Sequence, residues 1–319
     1  MNKNTVETKK ATSSNERHGR SLGREIAVFF LKFFLVRVGL MYLALYVATA
    51  IIYNGGLIAY FKLLGTNFAE AFNVMSEIMI TPIGYLIFII SAGLTIPIYL
   101  RFCLRKEEMS FESLGFRRKH IPRYCVIGYI VGSSFITLAS LIWILLGYAH
   151  PITTTFPNIG LIVAFFFAFL AQGLSEEIAF RAYFFTVLSR RHNAVLSSVI
   201  SSIAFALLHV LGGTVSLLTF FNLTLFGLFA CATFARFHNI WLLGALHGAC
   251  NFFENNVFGL GLSTDTTNAS LLNYSVSGPN ALITGGSYGG LWGSAIGTAV
   301  MLVAIIIILI PKMTRKNNI

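Results

Sequence analysis

The chain has 319 residues, of which 56% are hydrophobic and only 11% charged, and Phe alone contributes 30. Soluble domains carry about 25% charged residues, so the composition excludes an ordinary soluble fold and points to an all-α polytopic membrane protein. The formal net charge of +11 sits in short clusters beside apolar runs and not along one amphipathic face, which makes anionic lipid headgroups the expected partner and excludes nucleic acid.

Residues 1–33 read as a polar, basic tail and an interfacial segment; the apolar stretch that follows is too long for a signal peptide and lacks a small-residue cleavage site, so the tail is expected to be retained. Arg24 to Arg37 mixes Phe and Leu with Lys32 and Arg37, and is expected to lie among the headgroups before turning into the first span. A helix needs about 20 apolar residues to cross a bilayer core. That ruler finds eight spans, at 34–54, 78–102, 122–147, 158–189, 194–211, 215–235, 239–258 and 290–311, which form one transmembrane domain over 34–311 followed by a basic tail at 312–319. The basic clusters before the first span, between Arg101 and Arg123, at Arg190 and Arg191, at Arg236 and from Lys312 to Lys316 all fall on one face, while the other receives Lys62 alone. By the positive-inside rule both termini are cytoplasmic in a plasma-membrane protein. The loop 259–289, rich in Ser, Thr, Asn and Gly, reads as a flexible linker. Cys103, Cys125, Cys231 and Cys250 form no CxxC pattern, so neither a disulfide framework nor a zinc knuckle is expected.

Charge inside a span is costly and marks function. Glu176, Glu177 and Arg181 lie in the fourth apolar stretch, His209 in the fifth, and His247, Asn251 and Glu254 in the seventh; every other charged residue is expected to reach a headgroup. Residues four apart share a helix face and neighbours diverge by about 100°. Glu177 and Arg181 therefore pair, which as a bland reading is a buried salt bridge that fixes the helix. Glu176 points elsewhere without a partner on its own helix, and such a carboxyl suits general acid or base work; its bland reading is a neutral, hydrogen-bonded Glu. At about 1.5 Å per residue Glu176 lies roughly 20 Å from the cytoplasmic end of its span, His209 roughly 22 Å, and His247 and Asn251 roughly 12 and 18 Å. These depths overlap near mid-bilayer. A single buried His is usually a packing residue, but His247 and Asn251 are four apart and can present two donors to one developing oxyanion.

The residues form three motifs in order, each in its own span: EExxxR at Glu176, Glu177 and Arg181, FxxxH at Phe205 and His209, and HxxxN at His247 and Asn251. This pattern resembles the CPBP family, the CAAX protease and bacteriocin-processing group, also called Abi or type II CAAX prenyl endopeptidase-like. The resemblance covers roughly residues 110 to 311, with FESLGFRR at Phe111 to Arg118 and LITGGSYGG at Leu282 to Gly290 agreeing with bacterial members. It implies an intramembrane endopeptidase in which Glu176 and His209 activate a water for attack on a peptide carbonyl. His247 and Asn251 would stabilise the oxyanion, and Glu177, Arg181 and Phe205 would support them. Two Glu and two His can in principle hold zinc, through Glu176, His209 and His247. Without HExxH on one helix, and with Asn a poor ligand, a metal-free site with no cofactor is expected. The expected substrate is a membrane protein or a lipidated or hydrophobic peptide. A proton-coupled transporter and a non-proteolytic immunity or partner-binding protein are the alternatives; no inverted repeat favours the first, and the intact motifs disfavour the second.

The topology has its own test. Reporter fusions after residue 155 and after residue 270 are expected to be external, and a cytoplasmic signal at either contradicts the assignment of faces.

Overall fold

The apolar stretches fold as helices because a backbone in lipid must satisfy its own N–H and C=O groups. The computed structural model describes residues 22–37, 81–152, 156–210, 216–260, 269–285 and 290–310. In chain order the helices are α1 (Leu22–Phe29, continued by a π-helical segment Phe30–Phe34), α2 (Pro82–Arg105) and α3 (Ile121–Leu145). Then comes α4 (Ile159–Ser189), in which an α-helical part Ile159–Glu177 passes into a π-helical part Ile178–Phe185. It is followed by α5 (Ala194–Val210), α6 (Leu217–Phe237), α7 (Ile240–Phe252, with a π segment Phe253–Val257), a short α8 (Ala281–Thr284) and α9 (Ala295–Leu309). Thr81, Asn158, Ser216, Asn239 and Ser294 begin α2, α4, α6, α7 and α9, each side chain accepting from a backbone N–H three residues on, which satisfies a donor that has no partner within the helix.

Among the described residues four helices, α2, α3, α4 and α6, are long and apolar enough to cross a membrane. They lie at the expected second, third, fourth and sixth spans. α5 and α9, at the fifth and eighth, are apolar but shorter, and α7, at the seventh, has 13 α-helical residues, fewer than the roughly 20 that a bilayer core asks for. Nearly all of the first expected span, 34–54, lies outside the described residues.

α7 sits at the centre, and small residues put it there. A Cβ on Gly128 or Gly132 of α3 would come 2.1 Å from the backbone oxygen of Leu242 or Leu246 of α7. On its other side, a Cβ on Gly173 of α4 would meet Gly248 N at 2.6 Å, and one on Gly248 would meet the Leu170 backbone at 2.8 Å. Small residues four apart let backbones touch, and in lipid that dispersion contact replaces the hydrophobic drive that water supplies. α7 is thus held between α3 and α4 by backbone contact, which leaves little room for its side chains to shift relative to those of α4. Its start is also pinned from outside, because Ile240 N donates to Gly115 O at 3.0 Å and Arg117 Nε to His238 O at 3.1 Å, so FESLGFRR acts as a clamp on the α6–α7 corner.

Two expectations need correction. Residues 259–289 are not simply a linker: Tyr274–Val276 (β2) pairs antiparallel with Ala149–Pro151 (β1), Ala149 opposite Val276, and Trp143 Nε1 donates to Ile283 O at 2.8 Å. Polar composition there reflects backbone pairing between two loops, while 261–268 and 286–289 lie outside the described residues. Second, Arg37, expected to reach a headgroup with the rest of Arg24 to Arg37, instead pairs with buried Glu176 inside the bundle. Phe29 and Phe33 are buried; Phe29 stacks on Phe184 with centroids 4.2 Å apart and Phe33 on Tyr183 at 4.6 Å. α1 runs antiparallel to the second half of α4, and its aromatic face outweighs the cost of carrying Lys32 and Arg37 beside it.

The glycine packing predicts a sharp asymmetry between two small substitutions. Gly132→Ala drives a methyl into a backbone oxygen and is expected to cost about 1–3 kcal/mol, the usual range for overpacking. Gly23→Ala meets nothing within 4 Å and is expected to be neutral or mildly stabilising. Thermal unfolding in detergent reads both, and equal stabilities contradict the packing of α7.

Candidate functional site

Glu176, Glu177 and Arg181 are fully buried, with no exposed surface. Carboxylates without water need partners, and each finds a guanidinium. Arg181 Nη1 donates to Glu177 Oε1 at 3.0 Å across one helical turn, and Arg37 Nη2 of α1 donates to Glu176 Oε1 at 2.6 Å. Arg37 is thus drawn inward from the expected headgroup position. Glu176 also has a partner on its own helix, contrary to expectation, since Gln172 Nε2 donates to the same Oε1 at 2.5 Å. The cluster holds two carboxylates and two guanidiniums, so it is neutral when its histidines are.

α7 adds the remaining polar groups. His247 Nδ1 lies 2.8 Å from Glu177 Oε1, and its Nε2 lies 3.8 Å from Glu176 Oε2. With Glu177 accepting from Nδ1–H, Nε2 is the nitrogen left to face Glu176; it accepts in the neutral ring and donates in the imidazolium. Asn251 Nδ2 donates to Gln172 Oε1 at 2.8 Å. Gln172 thereby joins Asn251 to Glu176, and His247 joins Glu177 to Glu176, so α4 and α7 are cross-linked twice by hydrogen bonds. His247 and Asn251 share a helix face as their spacing implies, but their protein partners differ.

His209, on α5, donates through Nδ1–H to Phe205 O at 3.0 Å. Its ring lies 4.7 Å from that of Phe205. Phe205 is the hub of this side: Arg181 Cζ stands 4.6 Å from its ring centroid, a cation–π distance, and the His247 ring lies 5.9 Å away. Arg181 Nε and Nη2 have no hydrogen-bond partner among the described residues; the faces of Phe205, Phe180 and Phe226 surround that guanidinium instead.

The π-helical stretch of α4 starts directly after Glu177. Widened helices of this kind often occur at functional sites, and here the loosened Phe180 carbonyl is taken up by Ser201 Oγ of α5 at 2.8 Å. Glu254, the buried carboxyl at the end of α7, belongs elsewhere. It accepts from Leu291 N at 3.1 Å and from Trp292 Nε1 at 2.7 Å, and so ties the end of α7 to the turn before α9. Cys250 donates to Gly132 O at 3.4 Å, on the face away from Asn251. Glu176, His209 and His247 are the residues that would hold a metal; among the described residues, no group of three His, Cys, Asp or Glu side chains is disposed to do so, and the Arg37 cation at Glu176 opposes a second cation there.

Sequence reasoning missed Gln172 and Arg37. Gln172 had a signal, an amide in an apolar span four residues before Glu176. Arg37 had none, because no spacing rule joins residues 139 positions apart.

Breaking the Glu177–Arg181 pair from one side strands a buried charge, typically at about 3–5 kcal/mol, whereas replacing both partners can be nearly neutral. Arg181→Leu is therefore expected to lower stability and activity together, and Glu177→Gln with Arg181→Leu to recover much of the stability and part of the activity. A double variant that folds well and is as inactive as Glu176→Ala would give Glu177 or Arg181 a direct part in the chemical step.

No curated protein and no solved structure matches the chain. A family model does, over residues 158–253, the stretch from α4 to the start of the π segment of α7 that carries all three motifs. The match is narrower than the 110 to 311 over which the resemblance runs. Its description is type II CAAX prenyl endopeptidase Rce1-like, and the segment from α4 to α7 that carries the three motifs is similar to that family.

Proposed function

We propose that this protein is an intramembrane endopeptidase that hydrolyses a peptide bond of a membrane-associated protein or of a lipidated or hydrophobic peptide. The observation that carries the reading is the buried pair formed by Glu176 Oε2, which has no hydrogen-bond partner among the described residues, and His247 Nε2, 3.8 Å away. One water can hydrogen-bond to both atoms at once. Glu176 Oε1 is held by Arg37 and Gln172, which leaves Oε2 to take a proton.

In the proposed step the water oxygen attacks the carbonyl carbon of the substrate, its proton passes to Glu176 Oε2, and the carbonyl π pair moves onto oxygen. Collapse of the tetrahedral intermediate breaks the C–N bond, and Glu176 returns the proton to the departing amine. His247 in its imidazolium form, through Nε2–H, and the second N–H of Asn251 stabilise the oxyanion. Glu177 orients His247 as the carboxylate of a Glu–His pair, in the manner of the third member of a hydrolytic triad. His209 works with Glu176 in activating the water, and Phe205 and Arg181 hold the shape of the site. No metal or cofactor enters this scheme. The apolar surroundings favour a substrate that already resides in the bilayer; the basic clusters support an orientation with both termini cytoplasmic and anionic headgroups as partners, and a bacterial plasma membrane goes with the likeness of FESLGFRR and LITGGSYGG to bacterial members.

The test is cleavage by purified protein in lipid vesicles of a fluorogenic CAAX-tail peptide, farnesylated and unmodified, and of a panel of unmodified hydrophobic peptides, with products read by mass spectrometry. Glu176→Gln, His209→Ala and His247→Ala are each expected to abolish cleavage, with losses that do not add in double variants because the residues act as one unit. Undiminished cleavage by any one of them removes that residue from the mechanism. Exhaustively chelated protein is expected to keep its activity, whereas stoichiometric zinc that alone restores activity would overturn the metal-free scheme.

A further inference from the structure

We infer that α1 completes the site, with Arg37 as the residue that positions the carboxylate of Glu176; the inference rests on Glu176 being the base. Arg37 lies outside the stretch matched by the family model, and three observations make it part of the centre. The first is the contact itself. A charge-assisted bond of 2.6 Å joins Arg37 to a carboxyl with no exposed surface, at an oxygen that also accepts from Gln172. Two donors on Oε1 fix the rotation of the carboxyl group, so Oε2 is turned toward His247 Nε2.

The second is charge. Arg181 is already paired with Glu177, so among the described residues Arg37 is the guanidinium that balances Glu176. A buried carboxyl deprived of that balance is favoured in its neutral form, and a neutral acid cannot accept the proton of the attacking water.

The third is the way Arg37 is delivered. α1 is tied at both ends, by Arg191 Nη1 to Glu25 Oε1 at 2.6 Å and by Arg37 to Glu176. Between them Phe29 and Phe33 stack on Phe184 and Tyr183 of the π-helical stretch of α4. Tyr99 of α2 donates to Phe33 O at 3.0 Å, close to the start of the last turn before Arg37. An aromatic ladder of this length sets the depth to which Arg37 reaches, and it uses the same π-helical stretch that follows Glu177.

The experiment compares wild type with Arg37→Lys, Arg37→Met and Arg191→Met in vesicles, using the farnesylated and unmodified CAAX-tail peptides and the hydrophobic panel. Arg37→Met is expected to lower kcat about 10²-fold, the loss typical of a misplaced catalytic group, with KM little changed. Arg37→Lys is expected to restore kcat to within about tenfold of wild type, since it keeps the charge and loses the planar fork. Arg191→Met, which releases the other end of α1, is expected to lose far less. A second readout needs no turnover: the infrared band of Glu176, assigned by its loss in Glu176→Gln, is expected to be that of a carboxylate in wild type and Arg37→Lys and of a neutral acid in Arg37→Met. If wild type cleaves no probe, the reading as a peptidase fails while the infrared bands still decide the role of Arg37. Wild-type or raised kcat in Arg37→Met, an equal loss in Arg191→Met, no rescue by Lys, or an unchanged carboxylate band overturns the inference.

Discussion

Two glutamates with no surface exposed to solvent sit side by side in an apolar bundle, and the neutralisation of that charge organises everything around them. An isolated carboxylate in such surroundings is so unfavourable that the protein must supply a cation or give up the charge. It supplies two cations from different places. Arg181 comes from the same helix one turn on, and Arg37 from a helix that packs against the far end of α4. The first pair is local and costs the fold little; the second requires α1 to dock along α4, and it explains why an N-terminal segment rich in Phe carries an arginine inward.

The same constraint separates the roles of the two glutamates. Glu177 Oε1 accepts from both Arg181 and His247, so its charge serves to hold other groups in place. Glu176 accepts two bonds at Oε1, while Oε2 has no hydrogen-bond partner among the described residues and faces His247. Adjacent residues of identical chemistry are thus given different surroundings by the faces of α4 they occupy, one oxygen shared by Arg181 and His247 on one side and an oxygen without a hydrogen-bond partner among the described residues on the other. The precision comes from α7, whose backbone is met by Gly128 and Gly132 of α3 and, through Gly248, by the backbone of α4. With helix axes so close, a shift large enough to misalign His247 would require the helices to interpenetrate.

Much of this was legible in the sequence, for a physical reason: lipid makes charge rare, so Glu176, Glu177, Arg181, His209 and His247 stood out against their spans, and spacing by four joined Glu177 to Arg181 and put His247 and Asn251 on one face. What was not legible depends on contacts between distant segments. Arg37 looked like an interfacial residue because, near the end of an apolar run, it carries no mark of its destination. The antiparallel pairing of Tyr274–Val276 with Ala149–Pro151 is hidden in polar loops that have no periodicity. Gln172 and the pairs Gly128–Gly132 and Gly244–Gly248 were visible as residue types, but only the packing of α7 between α3 and α4 shows what they do. Span counting by composition also meets its limit at α7, because a helix surrounded by protein need not be as long as the bilayer core is thick.

In the proposed function Glu176 performs proton transfer on a peptide substrate within this neutralised cluster. The most direct measurement is cleavage of the CAAX-tail and hydrophobic peptides by purified wild type and by Glu176→Gln, an isosteric change that keeps an acceptor for Arg37 and removes the proton-accepting carboxylate. The account predicts specific cleavage by wild type and none by a Glu176→Gln protein that remains folded and inserted; cleavage by that variant at the wild-type rate would contradict it.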